Sequence, residues 1–101
     1  MFKPVSERDV YVFHDRVSFH KQIDGLAAVV RQQMGLDPMS GAYFVFRSRS
    51  RHSVRILFFN EDGFELLTRR LSRGCFEGWP KGGLFSNLLV RELRSVIWSG
   101  S

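Results

Sequence analysis

The densest chemistry in the sequence is the segment Arg47-Ser48-Arg49-Ser50-Arg51-His52-Ser53, basic and built of small residues between two apolar runs. A guanidinium group is planar and pairs phosphate bidentately. Arginines at this spacing on a projecting loop therefore point to phosphate contacts, or to a base edge if the loop enters a major groove. Serine hydroxyls would add hydrogen bonds to phosphate. The blander account is a solvated connector, charged to keep a loop soluble and a sheet edge unpaired. Arg55 continues the basic run, and Arg69, Arg70 and Arg73 form a second cluster. Strand alternation sends Arg69 and Arg70 to opposite faces. An ion pair with Glu65 or Glu77 accounts for one of them as well as nucleic acid does. The expected nucleic-acid contacts are thus Arg47, Arg49, Arg51 and Arg55 first, then Arg69, Arg70 and Arg73.

Other chemistries find less support. His14, His20 and His52 are scattered, and with the single Cys75 no zinc-ligand spacing appears. Lys81-Gly82-Gly83 lacks the glycine–lysine–hydroxyl order of a phosphate-binding loop. No serine sits in a nucleophile-elbow context. Asp24, Asp37 and Asp62 invite thoughts of a metal-dependent nuclease, but Asp37 and Asp62 stand in turn contexts that favour aspartate for local backbone bonding. The aromatics Tyr43, Phe44, Phe46, Phe58, Phe59, Phe64, Phe76 and Trp79 are interleaved with arginine, as in platforms that stack single-stranded bases. Most strand phenylalanines in so small a domain are core. Trp79-Pro80 lies in a glycine-rich stretch, where tryptophan suits a protein contact. The expectation is a binding protein with no catalytic residue, cofactor or metal.

Those side chains need a scaffold, and 101 residues with 44% apolar content suit one domain. Residues 1–98 are expected as that domain, with 99–101 a tail. Fifteen Lys+Arg against ten Asp+Glu give a formal charge of +5, which favours phosphate-rich or acidic partners. A lone cysteine fits a reducing compartment. No apolar run reaches the length of a bilayer span, and the first residues lack the apolar core of a signal peptide. A cytoplasmic chain with no membrane and no small-molecule substrate is expected.

Val10-Tyr11-Val12-Phe13 reads as a short strand. Phe19, Ile23, Leu26, Ala27, Val30 and Met34 recur at helical spacing, with Ser18 or Asp15 as cap and Gly35 as the left-handed stop. On that helix Lys21 and Arg31 fall on the polar side, and Gly25 suggests close packing against the sheet. Strand-like runs follow at Tyr43–Arg47, Val54–Asn60 and Phe64–Leu71, the last two joined by Glu61-Asp62-Gly63 as a hairpin. Both faces of this meander carry apolar residues, so the second should meet another segment or another chain. Ser86 would cap a final amphipathic helix holding Leu89, Leu93, Val96 and Ile97. The expected fold is α+β: a three- to four-stranded antiparallel meander with one N-terminal and one C-terminal helix packed on it.

Several blocks also resemble a known family. They are Lys21 to Val30, Asp37-Pro38-Met39-Ser40-Gly41-Ala42-Tyr43-Phe44-Val45-Phe46-Arg47, Ile56 to Leu67, and Arg69 to Phe76 with Trp79-Pro80. In order and spacing they resemble the accessory protein of IS-66-type insertion sequences. That family is often labelled TnpB and is distinct from the RNA-guided nuclease of the same label. The resemblance covers about residues 16 to 80 and implies a role in transposition beside a separate transposase, without catalytic carboxylates. One departure precedes Lys21, where Ser18-Phe19-His20 stands in place of the family's usual Asp-Met-Arg. The basic charge makes DNA an expected partner and the resemblance adds the transposase, with Trp79 and Lys21 as the expected partner contacts. A homo-oligomer or a pure protein-interaction module is the alternative.

Overall fold

The valine-rich run after Asp9 forms strand β1, Val10–Val17. The computed structural model describes residues 9–50 and 52–70, together with the backbone of 85–88. From β1 the chain turns into helix α1, Ile23–Val29, which widens into a π-helical turn at Val30–Met34. Three strands follow, β2 (Tyr43–Ser48), β3 (Ser53–Asn60) and β4 (Gly63–Arg70), and then a short β5, Phe85–Leu88. The fold is α+β, as the sequence implies.

The meander is present: β2 pairs antiparallel with β3, and β3 with β4. The sheet is not wholly antiparallel, however. β1 is longer than its aromatic run suggested and lies parallel to β2, with Val10 beside Tyr43 and Val12 beside Val45. Parallel neighbours need a crossover, and the helix supplies it. It therefore does not precede the sheet as an N-terminal element; it links two of its strands. The four-stranded mixed sheet β4-β3-β2-β1 is extended by β5, antiparallel to β1. Ser86, expected as a helix cap, instead sits in β5 opposite Val12. The expected final helix, Leu89 to Ile97, lies outside the described residues.

Apolar periodicity set the helix correctly, but its ends differ from expectation. Gln22 is the N-cap residue and makes no side-chain cap bond. Ser18 instead accepts from the His20 amide at 3.3 Å and, through its carbonyl, from the Lys21 amide at 3.1 Å, so it builds the turn ahead of the helix. Asp15 is an exposed residue of β1. The far end is as expected: Gly35 stops the helix at φ 67°, and its amide turns back on the Val30 carbonyl. Such a left-handed residue carries no steric cost only as glycine. Gly25 does not mark close packing on the sheet; a Cβ there would meet the Lys21 side chain at 3.0 Å.

One core lies between α1 and the sheet. Leu26, Ala27, Val29, Val30 and Met34 meet Phe13, Phe44, Phe46 and Leu57, with Phe19, Ile23 and Leu66 at the margin. Phe44, Phe46, Leu26 and Leu57 are fully buried. The opposite face is closed as well: Val10, Val12 and Val45 are 0% exposed and Val54 is 1% exposed within a single chain. The apolar second face therefore needs no other molecule over most of its area. At the β4 border it opens, and Leu67 is 54% exposed.

Candidate nucleic-acid interface

The topology sorts charge along the strands. Parallel β1 and β2 finish at the same end, where Val17 pairs with Ser48. Antiparallel pairing brings the start of β3 and the finish of β4 to that end too, with Ser53 opposite Arg70. Arg16, His20, Lys21, Arg49, His52 and Arg70 are all exposed there. Two basic clusters that are separate in sequence thus become one strand-end surface. Sequence reading missed Arg16. Its signal was its place at the close of a strand, yet only the parallel register, with Arg16 beside Arg47, shows where that close lies.

Carboxylates gather at the opposite end. Asp9 leads into β1, Asp37 sits in the turn before β2, Glu61 and Asp62 make the β3–β4 turn, and Glu65 follows on β4. Asp37 accepts from the Met39 amide at 2.9 Å, the local bond its turn context implied. Among the described residues only Asp15 and Asp24 are acidic near the basic end, and Arg31, late in the helical segment, is the cation farther along.

Two of the arginines expected to read phosphate are occupied within the protein. Arg55 donates from Nη1 to the carbonyls of Phe19 (3.0 Å) and Lys21 (3.2 Å) and from Nε to Thr68 Oγ1 (3.2 Å). Its guanidinium lies 4.4 Å from the centre of the Phe19 ring, a cation–π contact. Arg55 thereby ties the β1–α1 turn to β3 and β4, and it lines an open cleft of about 640 Å³ with Gln22, Ile23, Asp24, Leu66 and Thr68. Arg47 donates from Nη2 to the His14 carbonyl at 3.0 Å. The reason is the bulge in β1: between Val12 and Arg16 the parallel register shifts, and the extra residues leave the ladder. Burial pulls the Arg47 guanidinium below the usual arginine range, and the nearby charge of Asp15 works the other way.

The loop's serines also have structural partners. Ser48 Oγ accepts from the Ser53 amide at 3.3 Å and lies 2.9 Å from Ser50 Oγ, which accepts from the His52 amide at 3.4 Å. Serines expected to bind phosphate thus close the β2–β3 turn, while Arg49 projects from it. Arg69 is half-buried on the second face. Lys21 offers an exposed side chain although its carbonyl is engaged by Arg55. Arg51, Arg73 and Trp79 lie outside the described residues. The aromatics form no platform among the described residues of the basic end: Phe44 and Phe46 are core, Tyr43 packs edge-on to Phe58, and Phe59 to Phe64, each at 5.0 Å.

Among the described residues no three His, Cys, Asp or Glu side chains converge as a metal site, and no helix is long and apolar enough to cross a membrane. An exposed basic strand end on a small mixed sheet defines a class of protein, a basic α+β domain. Its family is more specific: the model described as IS66 Orf2 like protein matches residues 8–99, and the chain belongs to that family.

Two proteins of Sinorhizobium fredii (strain NBRC 101917 / NGR234), both named as uncharacterized, are similar. One, y4hO, is 40% identical over 55 residues, covering 54% of this chain and 47% of that protein. The other, y4jC, is 30% identical over 76 residues, covering 75% of this chain and 65% of that protein. The chain therefore aligns with about half to two thirds of each relative. No solved structure matches.

Proposed function

We propose that this chain is a non-catalytic accessory protein for transposition of a bacterial insertion sequence, which lays the basic end of its sheet on DNA and assists a separate transposase. The observation that carries the reading is the gathering of Arg16, Lys21, Arg49 and Arg70 at one strand end while most described carboxylates stand at the other. Such a distribution orients the molecule on a polyanion, because only one end is attracted. Contacts of this kind position a protein on the backbone without reading sequence. Arg51, between Arg49 and His52 in the chain, and Arg73, three residues past Arg70, join the surface in this proposal. Trp79 is the proposed contact to the transposase.

The test is binding of the purified protein to a duplex carrying the element's terminal repeat, beside an unrelated duplex, at two salt concentrations. Salt-sensitive binding to both supports backbone contact. A preference for the terminal repeat makes the protein an end-recognition factor. No binding at low salt ends the DNA reading and leaves the transposase as the partner to assay.

A further inference from the structure

The β4 edge carries a pattern that matches itself. Among the described residues β4 pairs on one side only, as the last strand in the order β4-β3-β2-β1-β5. An unpaired edge presents a row of backbone donors and acceptors and is ordinarily blunted by proline, a short strand or a bulge. β4 has eight residues, Gly63–Arg70, and its register with β3 is unbroken from Arg70 to Gly63. At its centre stands Leu67, 54% exposed, and Glu65, Thr68 and Arg70 are exposed beside it.

We propose that this edge is a self-association surface, on which a second copy adds its own β4 antiparallel about a twofold axis through Leu67. In that register Leu67 faces the partner's Leu67, and Glu65 faces the partner's Arg69. Arg69 in turn faces the partner's Glu65. All six side chains lie on one face, because Glu65, Leu67 and Arg69 alternate together along the strand. The other face sets Leu66 against the partner's Thr68. Centring the axis on Leu66 or Thr68 loses both charge pairs, so the sequence of the strand selects one register. Directly opposed charges of opposite sign stabilise an antiparallel pair, and like charges there destabilise it. A guanidinium has five N–H groups, so Arg69 keeps its contacts within the chain while donating to a carboxylate across the axis. The surface runs along the strand rather than at its end, and it stands independently of the DNA reading.

The experiment is sedimentation equilibrium of the full chain over a concentration series, with Glu65→Arg, Arg69→Glu and Leu67→Lys variants checked for native circular dichroism. The wild type is expected to show a concentration-dependent dimer. Glu65→Arg and Arg69→Glu, each alone, should dimerise on the order of tenfold more weakly or worse, since both pairs become like-charged. Their equimolar mixture should restore the dimer, because the two strands are then complementary. Leu67→Lys, which leaves both charges in place at an exposed position, should be monomeric. A wild type that stays monomeric throughout overturns the proposal, as do folded charge variants that dimerise normally or a mixture that shows no rescue. Should Arg69→Glu fail to fold, unchanged dimerisation of Leu67→Lys overturns it alone.

Discussion

Arginines at two places in this sheet do different work. Arg47 and Arg55 point back into the protein: one holds the carbonyl freed by the β1 bulge, the other ties the turn before α1 to β3 and β4. Arg16, Arg49 and Arg70 stand exposed where the strands end. All are the same residue type, and in sequence Arg47, Arg49 and Arg55 look like one basic tract. Position on the strand separates them. A side chain within the ladder finds carbonyls that loops and bulges leave open, whereas one at the strand end stands exposed. Charge density alone therefore does not separate exposed arginines from engaged ones, and the contrast between inward and outward arginines can be tested.

The largest effect is expected from the outward set. Replacing Arg16, Arg49 and Arg70 together by alanine should weaken duplex binding roughly 10²- to 10³-fold near 0.1 M salt and lower the salt slope by about three, if each meets one phosphate. Thermal stability should change by no more than about 0.5 kcal/mol, as for other exposed positions. A variant that unfolds earlier but binds normally would reverse the contrast.

Arg55→Ala should do the opposite. It removes three hydrogen bonds from a charged donor together with the contact to Phe19, and the loss in unfolding free energy should be about 2–3 kcal/mol in a denaturant titration. Arg47→Ala comes next, at about 1–2 kcal/mol, because it leaves the His14 carbonyl without this donor beside a buried residue. For both, DNA affinity measured on the folded fraction should fall only by the weak effect of one remote charge.

Much of this architecture was legible in the sequence, and the omissions share a cause. The helix was marked by apolar spacing and by Gly35, and the β3–β4 hairpin by the turn residues between two apolar strands. Both are local signals. The parallel pairing of β1 with β2 is not local: it depends on a crossover that brings residues 33 positions apart into register, as Val10 meets Tyr43. Without that pairing neither the bulge at His14 nor the role of Arg47 can be seen. The sequence marks the basic loop and Arg55 as phosphate contacts, and the structure shows Arg55 and the loop's serines engaged within the protein. Their partners within the chain, the carbonyls of Phe19 and Lys21 and the Ser53 and His52 amides, are set by tertiary placement and turn geometry. The same alternation that marked β4 as a strand also held the pattern proposed for self-association, which became apparent once β4 stood last in the strand order among the described residues.

The smallest effect separates charge from shape at one position. Arg55→Lys keeps the positive charge, so any contribution to the long-range field around the basic end is preserved. It removes the planar fork, and with it the Nε donor to Thr68 and the paired reach to two carbonyls. A single ammonium can still meet one of those carbonyls and lie over Phe19. Stability should therefore fall by about 1 kcal/mol, less than in the alanine variant, while the salt slope of DNA binding stays that of the wild type. Arg49→Lys is the matched control on the outward side. A phosphate accepts an ammonium as a point charge, so neither stability nor slope should move. If Arg55→Lys instead lowers affinity at unchanged stability, Arg55 reaches the nucleic acid and belongs with the outward set.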